Sequence, residues 1–296
     1  MRYRLTQENR LIGGLLASVL TVGVAHAADT KDTARAVFER NKNAVIMVSA
    51  VVKMEMSGRS GRSQDVELCG TVIGPDGLTL VSSATLNPAA AALDGLERVG
   101  GEERLGSMPK ADLSQVKYRL ADGTEVPARL VYQDRDLDLA FLVPDLKEGE
   151  QAPKFTSLEV KPGPAARELD DAFCVTRLPR HMSYTPAVMI GHIVAVVTKP
   201  RTVYDFALTG TPIAGSPVFH GSGSLLGFMM IHRIGGSTRA LRALLGGTQE
   251  IVIMPAGEVA GLIDQARQAA AKQCDKPEKS GDGSAQDKKE QEKDTQ

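Results

Sequence analysis

From Cys69 to Leu86 the chain reads C-G-T-V-I-G-P-D-G-L-T-L-V-S-S-A-T-L, and from Thr209 to Phe228 it reads T-G-T-P-I-A-G-S-P-V-F-H-G-S-G-S-L-L-G-F. In the first stretch, β-rich segments at 67–73 and 78–82 flank Pro75-Asp76-Gly77. Proline there sets φ and glycine accepts a positive φ, so the tripeptide predicts a tight turn between antiparallel strands. In the second, 216–219 and 225–231 flank Gly221-Ser222-Gly223, again a hairpin turn.

Reading outward, short apolar segments recur between turn signals. Residues 44–54 are Val-rich, 116–120 and 126–132 flank Ala121-Asp122-Gly123, and 137–143 follow. These six strands predict one antiparallel barrel. After a Pro-rich link at 153–164, residues 172–177, 187–199, 202–208, 216–219, 225–231 and 250–254 predict a second barrel. Residues 30–43 read as a short helix with Ala34, Val37 and Phe38 on one side. Pro255 introduces a closing helix over 256–272, with Val259, Leu262, Ile263 and Ala266 as its apolar stripe. The expected fold is therefore all-β: two six-stranded antiparallel barrels, at about 44–145 and 170–255, with helices at either end. The Ala-, Gly- and charge-rich insertion at 87–114 reads as a partly helical surface excursion.

The two ends differ from the rest. Arg2, Arg4 and Arg10 precede an apolar run from Leu11 to Val24 and a small-x-small site at Ala25-His26-Ala27. This is the pattern of a signal peptide cleaved before Ala28, and the run is shorter than the ~20 residues a membrane span needs. The expected product is exported, to the periplasm or beyond, and not stably inserted in a membrane. Residues 275–296 are Lys, Glu, Asp, Gln, Gly and Ser without a large apolar side chain, and are expected to be disordered.

Residues 1–27 hold three of the 35 basic and one of the 36 acidic residues, leaving 32 against 35, a net charge of −3. No electrostatic case for nucleic acid arises. Cys69, Cys174 and Cys274 fit no metal motif. An oxidising compartment permits one disulfide, but Cys69 and Cys174 lie in predicted strands, where a buried free thiol is expected. The histidines His181, His192, His220 and His232 form no metal-ligand spacing, no phosphate loop is present, and no cofactor is expected.

The two quoted stretches resemble the active-site segments of trypsin-like serine proteases, in particular the HtrA/DegP branch. There the first reads roughly G-S-G-F-I-I-x-x-D-G-x-I-L-T-N-x-H-V and the second G-N-S-G-G-P-L…G-x-V-I-G. K-Y-R-L-A-D-G-T-E-V-P-A-R-L-V-Y-Q-D-R-D-L-D-L-A-F-L, from Lys117 to Leu142, is similar to the family's segment bearing the triad carboxylate. L-D-D-A-F-C-V-T-R-L-P and Ile251-Val252-Ile253-Met254-Pro255 resemble weaker family segments. No PDZ module is expected after the closing helix. Counting along these motifs, the resemblance puts the family's histidine on Ala84, its aspartate on Asp138 and its serine on Ala214. The oxyanion loop would comprise Pro212, Ile213 and Gly215, and a proline at 212 has no N–H to donate.

The resemblance thus implies a protease fold without its base or nucleophile, with Asp138 a carboxylate that has no imidazole to orient. Ser82 and Ser83 offer hydroxyls without a base. Ser216 with His220 is the fallback for a displaced catalytic pair, since 216 and 220 share a strand face. The expected role is binding or regulation through an extended peptide or protein partner in the inter-barrel cleft. The alternatives are an active HtrA-like endopeptidase with atypical residues, and a structural subunit whose groove is filled by its own insertion.

Overall fold

The computed structural model describes residues 25–56, 59–90, 110–147, 149–211, 213–231 and 250–274. Residues 1–24, most of the insertion, Pro212, His232 and the charged tail lie outside them. Helix α1 (Ala25–Asn41) leads into β1 (Val45–Met56), β2 (Arg59–Val72) and β3 (Thr79–Ser82). One helical turn, α2 (Ser83–Leu86), is followed by β4 (Lys110–Arg119), β5 (Glu125–Asp134) and β6 (Leu139–Pro144). Then come β7 (Asp171–Arg177), β8 (Pro186–Val197), β9 (Val203–Leu208), β10 (Pro217–His220), β11 (Leu225–Ile231) and β12 (Ile251–Pro255). Helix α3 (Ala256–Cys274) closes the described chain.

The strands form two closed antiparallel barrels, β1-β2-β3-β6-β5-β4 and β7-β8-β9-β12-β11-β10. Adding six to each strand number of the first gives the second, so one connectivity is used twice. The expected double barrel is what the chain forms. Three expected boundaries need correction. Residues 110–114 of the supposed surface excursion belong to β4, paired with β1 from Ser114↔Val51 to Lys110↔Glu55. The strand expected to start at 67 starts at Arg59. Both extensions are polar, and they are strand because the long β1 supplies a backbone ladder, which needs no apolar side chain. Helix α1 starts at Ala25 and ends at Asn41, two residues before the expected end. There Asn41 Nδ2 donates to the Val37 carbonyl at 2.9 Å and Lys42 N–H to that of Phe38 at 2.8 Å.

Side-chain alternation sorts the apolar residues into three cores. Ile46, Val48, Leu68, Val81, Tyr118 and Leu142 fill the first barrel, and Cys174, Ile193, Tyr204, Phe206, Val218 and Ile253 the second. A third core lies between the barrels and under the helices, from Leu80, Leu139, Phe141, Phe173, Phe219, Phe228 and Val259. Strand β6 is apolar at consecutive positions because Ala140 and Leu142 face the barrel interior while Leu139 and Phe141 face the shared core. Burying each such large side chain contributes about 1.5–3 kcal/mol. Helix α3 follows the second barrel yet docks on β5 of the first. Tyr132 Oη donates to Gln265 at 3.1 Å, Gln273 Nε2 to the Val131 carbonyl at 3.4 Å, and Arg129 to Gln273.

Candidate functional site

The junction of the barrels is organised by the Asp138 carboxylate, 1% exposed. Asp138 sits in the β5–β6 turn at φ 58, a left-handed conformation that Asp tolerates better than most side chains. The turn is shaped by Asp134, whose Oδ1 accepts the N–H groups of Asp136 and Leu137, each at 3.0 Å. Asp138 Oδ1 accepts the Ala84 N–H at 2.7 Å, and Oδ2 accepts the Ser82 hydroxyl at 2.7 Å and the Ile231 N–H at 2.8 Å. The Asp138 carbonyl also accepts the Ser83 N–H at 2.9 Å. Ser82 is the N-cap of α2, with its Oγ accepting the Thr85 N–H at 3.2 Å, and this one-turn helix presents Ala84. Gln133 Nε2 donates to Ser83 Oγ at 2.5 Å and steadies the same turn. The two positions assigned by resemblance to the family's histidine and aspartate, Ala84 and Asp138, are therefore in direct contact.

Ala214 belongs to the other half of the junction. Gly215 donates its N–H to the Met229 carbonyl at 2.8 Å, and Met229 donates to the Ser216 carbonyl at 2.8 Å. Two residues thus oppose one, a β-bulge, with Gly215 at φ 90. Glycine is required there twice over, because a Cβ would also lie 2.2 Å from the Cys69 carbonyl oxygen. From the first barrel, Thr71 Oγ1 donates to the Gly215 carbonyl at 2.7 Å. Asp138 is held by Ile231 and the Ala214 loop by Met229. The two halves therefore hang from one strand, about 7 Å apart along it. Ala84 and Ala214 are both buried, and Ile213 packs partly buried on the shared core.

The structure does not bring Ser216 and His220 together. Ser216 is fully buried, its hydroxyl 2.7 Å from Thr176 Oγ1 and 3.5 Å from Cys69 Sγ. His220 points elsewhere, with Nδ1 2.8 Å from Ser222 Oγ and Nε2 3.5 Å from Asp170 Oδ2. Four residues along a strand span about 13 Å, so a shared face does not give contact. His181 lies exposed in a 3₁₀ turn (Arg180–Met182), and His192 is exposed on β8.

Cys69 and Cys174 are buried free thiols, as their strand positions led us to expect. Burial pushes the Cys69 thiol up, against the opposing pull of hydrogen bonds from Ser216, the Arg177 N–H and Thr176 and of the Arg177 charge. Burial likewise raises Cys174, and Cys69 nearby adds to the shift. Neutral buried thiols are poor nucleophiles.

Sequence reading missed the polar ties between the barrels. Arg177, only 6% exposed, donates to the carbonyls of Tyr184 at 3.0 Å, Lys42 at 3.2 Å and Val45. Tyr184 Oη donates to Glu67 at 2.8 Å. The only local signal for this group is a polar residue, Thr71, Thr176 or Arg177, set within an apolar strand.

A family model for the trypsin-like peptidase domain matches residues 69–228, more than half of the chain. The chain belongs to that family. Among solved structures, an HtrA-type protease AlgW with decapeptide aligns at 18% identity with a TM-score of 0.49, covering 78% of this chain and 67% of its own. No curated protein matches. In this trypsin-like peptidase domain the buried Asp138 carboxylate lies at the barrel junction, beside Ala84.

Proposed function

We propose that this trypsin-like peptidase homologue is exported, does not hydrolyse peptide bonds, and works by holding an extended segment of a protein partner in the cleft between its barrels. One observation carries the reading: the position that the resemblance assigns to the base, and whose N–H bonds the buried Asp138, is Ala84, a side chain with no proton acceptor. Acyl transfer also needs a nucleophile, and the loop residue assigned to it is Ala214. The nearest hydroxyl in that loop, Ser216, is buried and already bonded to Thr176. Binding an extended peptide by main-chain pairing requires none of these groups. The basic, apolar and small-residue order of the first 27 residues supports export.

Purified protein freed of residues 1–27 is expected neither to label with a fluorophosphonate serine probe nor to digest casein. Turnover that disappears in Ser216→Ala would overturn the reading. Restoration tests the register. Triad members act as a unit, so Ala84→His or Ala214→Ser alone should recover almost nothing. The double variant should stay poor because Pro212 removes an oxyanion donor worth about 3–4 kcal/mol. Adding Pro212→Gly should raise labelling at position 214 measurably. Equal labelling of double and triple variants would show that Pro212 is not the oxyanion position.

A further inference from the structure

Strand β2 is longer than its barrel uses. It pairs with β1 without a register break from Thr71↔Val45 to Arg62↔Met54, but with β3 only over residues 70–72. The Val72 N–H donates to the Ala44 carbonyl, which fixes the parity of the strand. Even-numbered residues turn their backbone groups toward β1, and odd-numbered ones turn theirs away. Ser63, Asp65 and Glu67 thus present N–H and C=O groups outward, and among the described residues no backbone group pairs with them. All three side chains are exposed, whereas Val66 and Leu68 are buried beneath and pin the strand to the core. Natural edges are usually protected by a bulge, a proline, very short length or charged side chains. Residues 63–67 have only the last, in Asp65 and Glu67.

We propose that this edge of β2 takes a basic, extended segment of a partner protein as an added strand. The argument for that occupant is charge. Ser63, Asp65 and Glu67 share one face of the strand, so an added strand meets two carboxylates at alternate positions. Lys or Arg at alternate positions of the segment then stands directly opposite them, the favourable cross-strand arrangement. A second copy of this chain is a poorer fit, because antiparallel self-pairing about Asp65 sets carboxylate against carboxylate. Glu67 also accepts the Tyr184 hydroxyl from the loop after β7, so the docking edge adjoins the tie between the barrels. The proposal does not depend on what the inter-barrel cleft does.

The test is residue-resolved amide exchange by NMR on the mature protein, with an alternating Thr-Lys octapeptide as probe and an alternating Thr-Glu octapeptide as control. The Thr-Lys peptide should slow exchange at Ser63 and Asp65 while leaving Gln64 and Val66, already bonded to β1, unchanged. Ser63→Pro removes an outward N–H without touching the β1 ladder and should abolish the slowing; proline is tolerated on edge strands. Asp65→Lys, which keeps every backbone group, should weaken binding about tenfold. No slowing, slowing without alternation, equal slowing by the Thr-Glu peptide, or indifference to both substitutions would overturn the proposal.

Discussion

At the scale of single residues, Asp138 shows how one buried carboxylate can tie two barrels together. Among the described residues its oxygens accept the Ser82 hydroxyl and the N–H groups of Ala84 and Ile231, the last from the opposite barrel. Removing the acceptor leaves those donors buried, and an orphaned buried donor costs about 1–3 kcal/mol. Asp138→Ala is therefore expected to lower stability by roughly 3 kcal/mol or more, read as a shift in the urea midpoint at unchanged slope. A loss under 1 kcal/mol would mean that water replaces the carboxylate freely. Motif spacing in the sequence singles out position 138. It does not single out the partners Ser82 and Ile231, because they are brought to Asp138 by strand pairing and not by proximity along the chain.

At the scale of elements, the turn tripeptides and apolar runs marked every strand, and the corrections fall where side chains carry no signal. The polar beginnings of β2 and β4 are strand because β1 between them offers hydrogen bonds to both. Helix α3 was legible from its stripe, but the surface that receives it was not. Val259 is fully buried in the core shared by both barrels, and the helix reaches back to β5 through Tyr132 and Gln265. Val259→Ala should cost about 2 kcal/mol, since truncation leaves a cavity lined by both barrels. If the helix merely covered the second barrel, thermal unfolding of the variant would leave β5 exchange protection unchanged. We expect β5 amides to lose protection together with those of β11 and β12.

At the scale of the whole molecule, the barrels are joined by apolar contact and by a few buried polar ties, of which Arg177 is the most concentrated. Its guanidinium serves carbonyls of Lys42 and Val45 in the first half of the chain and Tyr184 in the second. Arg177→Ala strands these acceptors, at an expected cost of about 3 kcal/mol. Calorimetry should then resolve two transitions in place of one; a single transition at unchanged temperature would show that the shared core alone couples the barrels. By itself the sequence determined the two sets of six strands seen among the described residues, the turns and the closing helix, because these are written in local periodicity and turn chemistry. Only the tertiary structure decided that Ala84 touches Asp138, that Ser216 and His220 stand apart, that Arg177 bridges the barrels and that no described backbone group pairs with the outer side of β2 at residues 63–67. Each of these depends on which backbone groups meet across strands distant in sequence, and barrel closure sets that geometry, which no window of the chain contains.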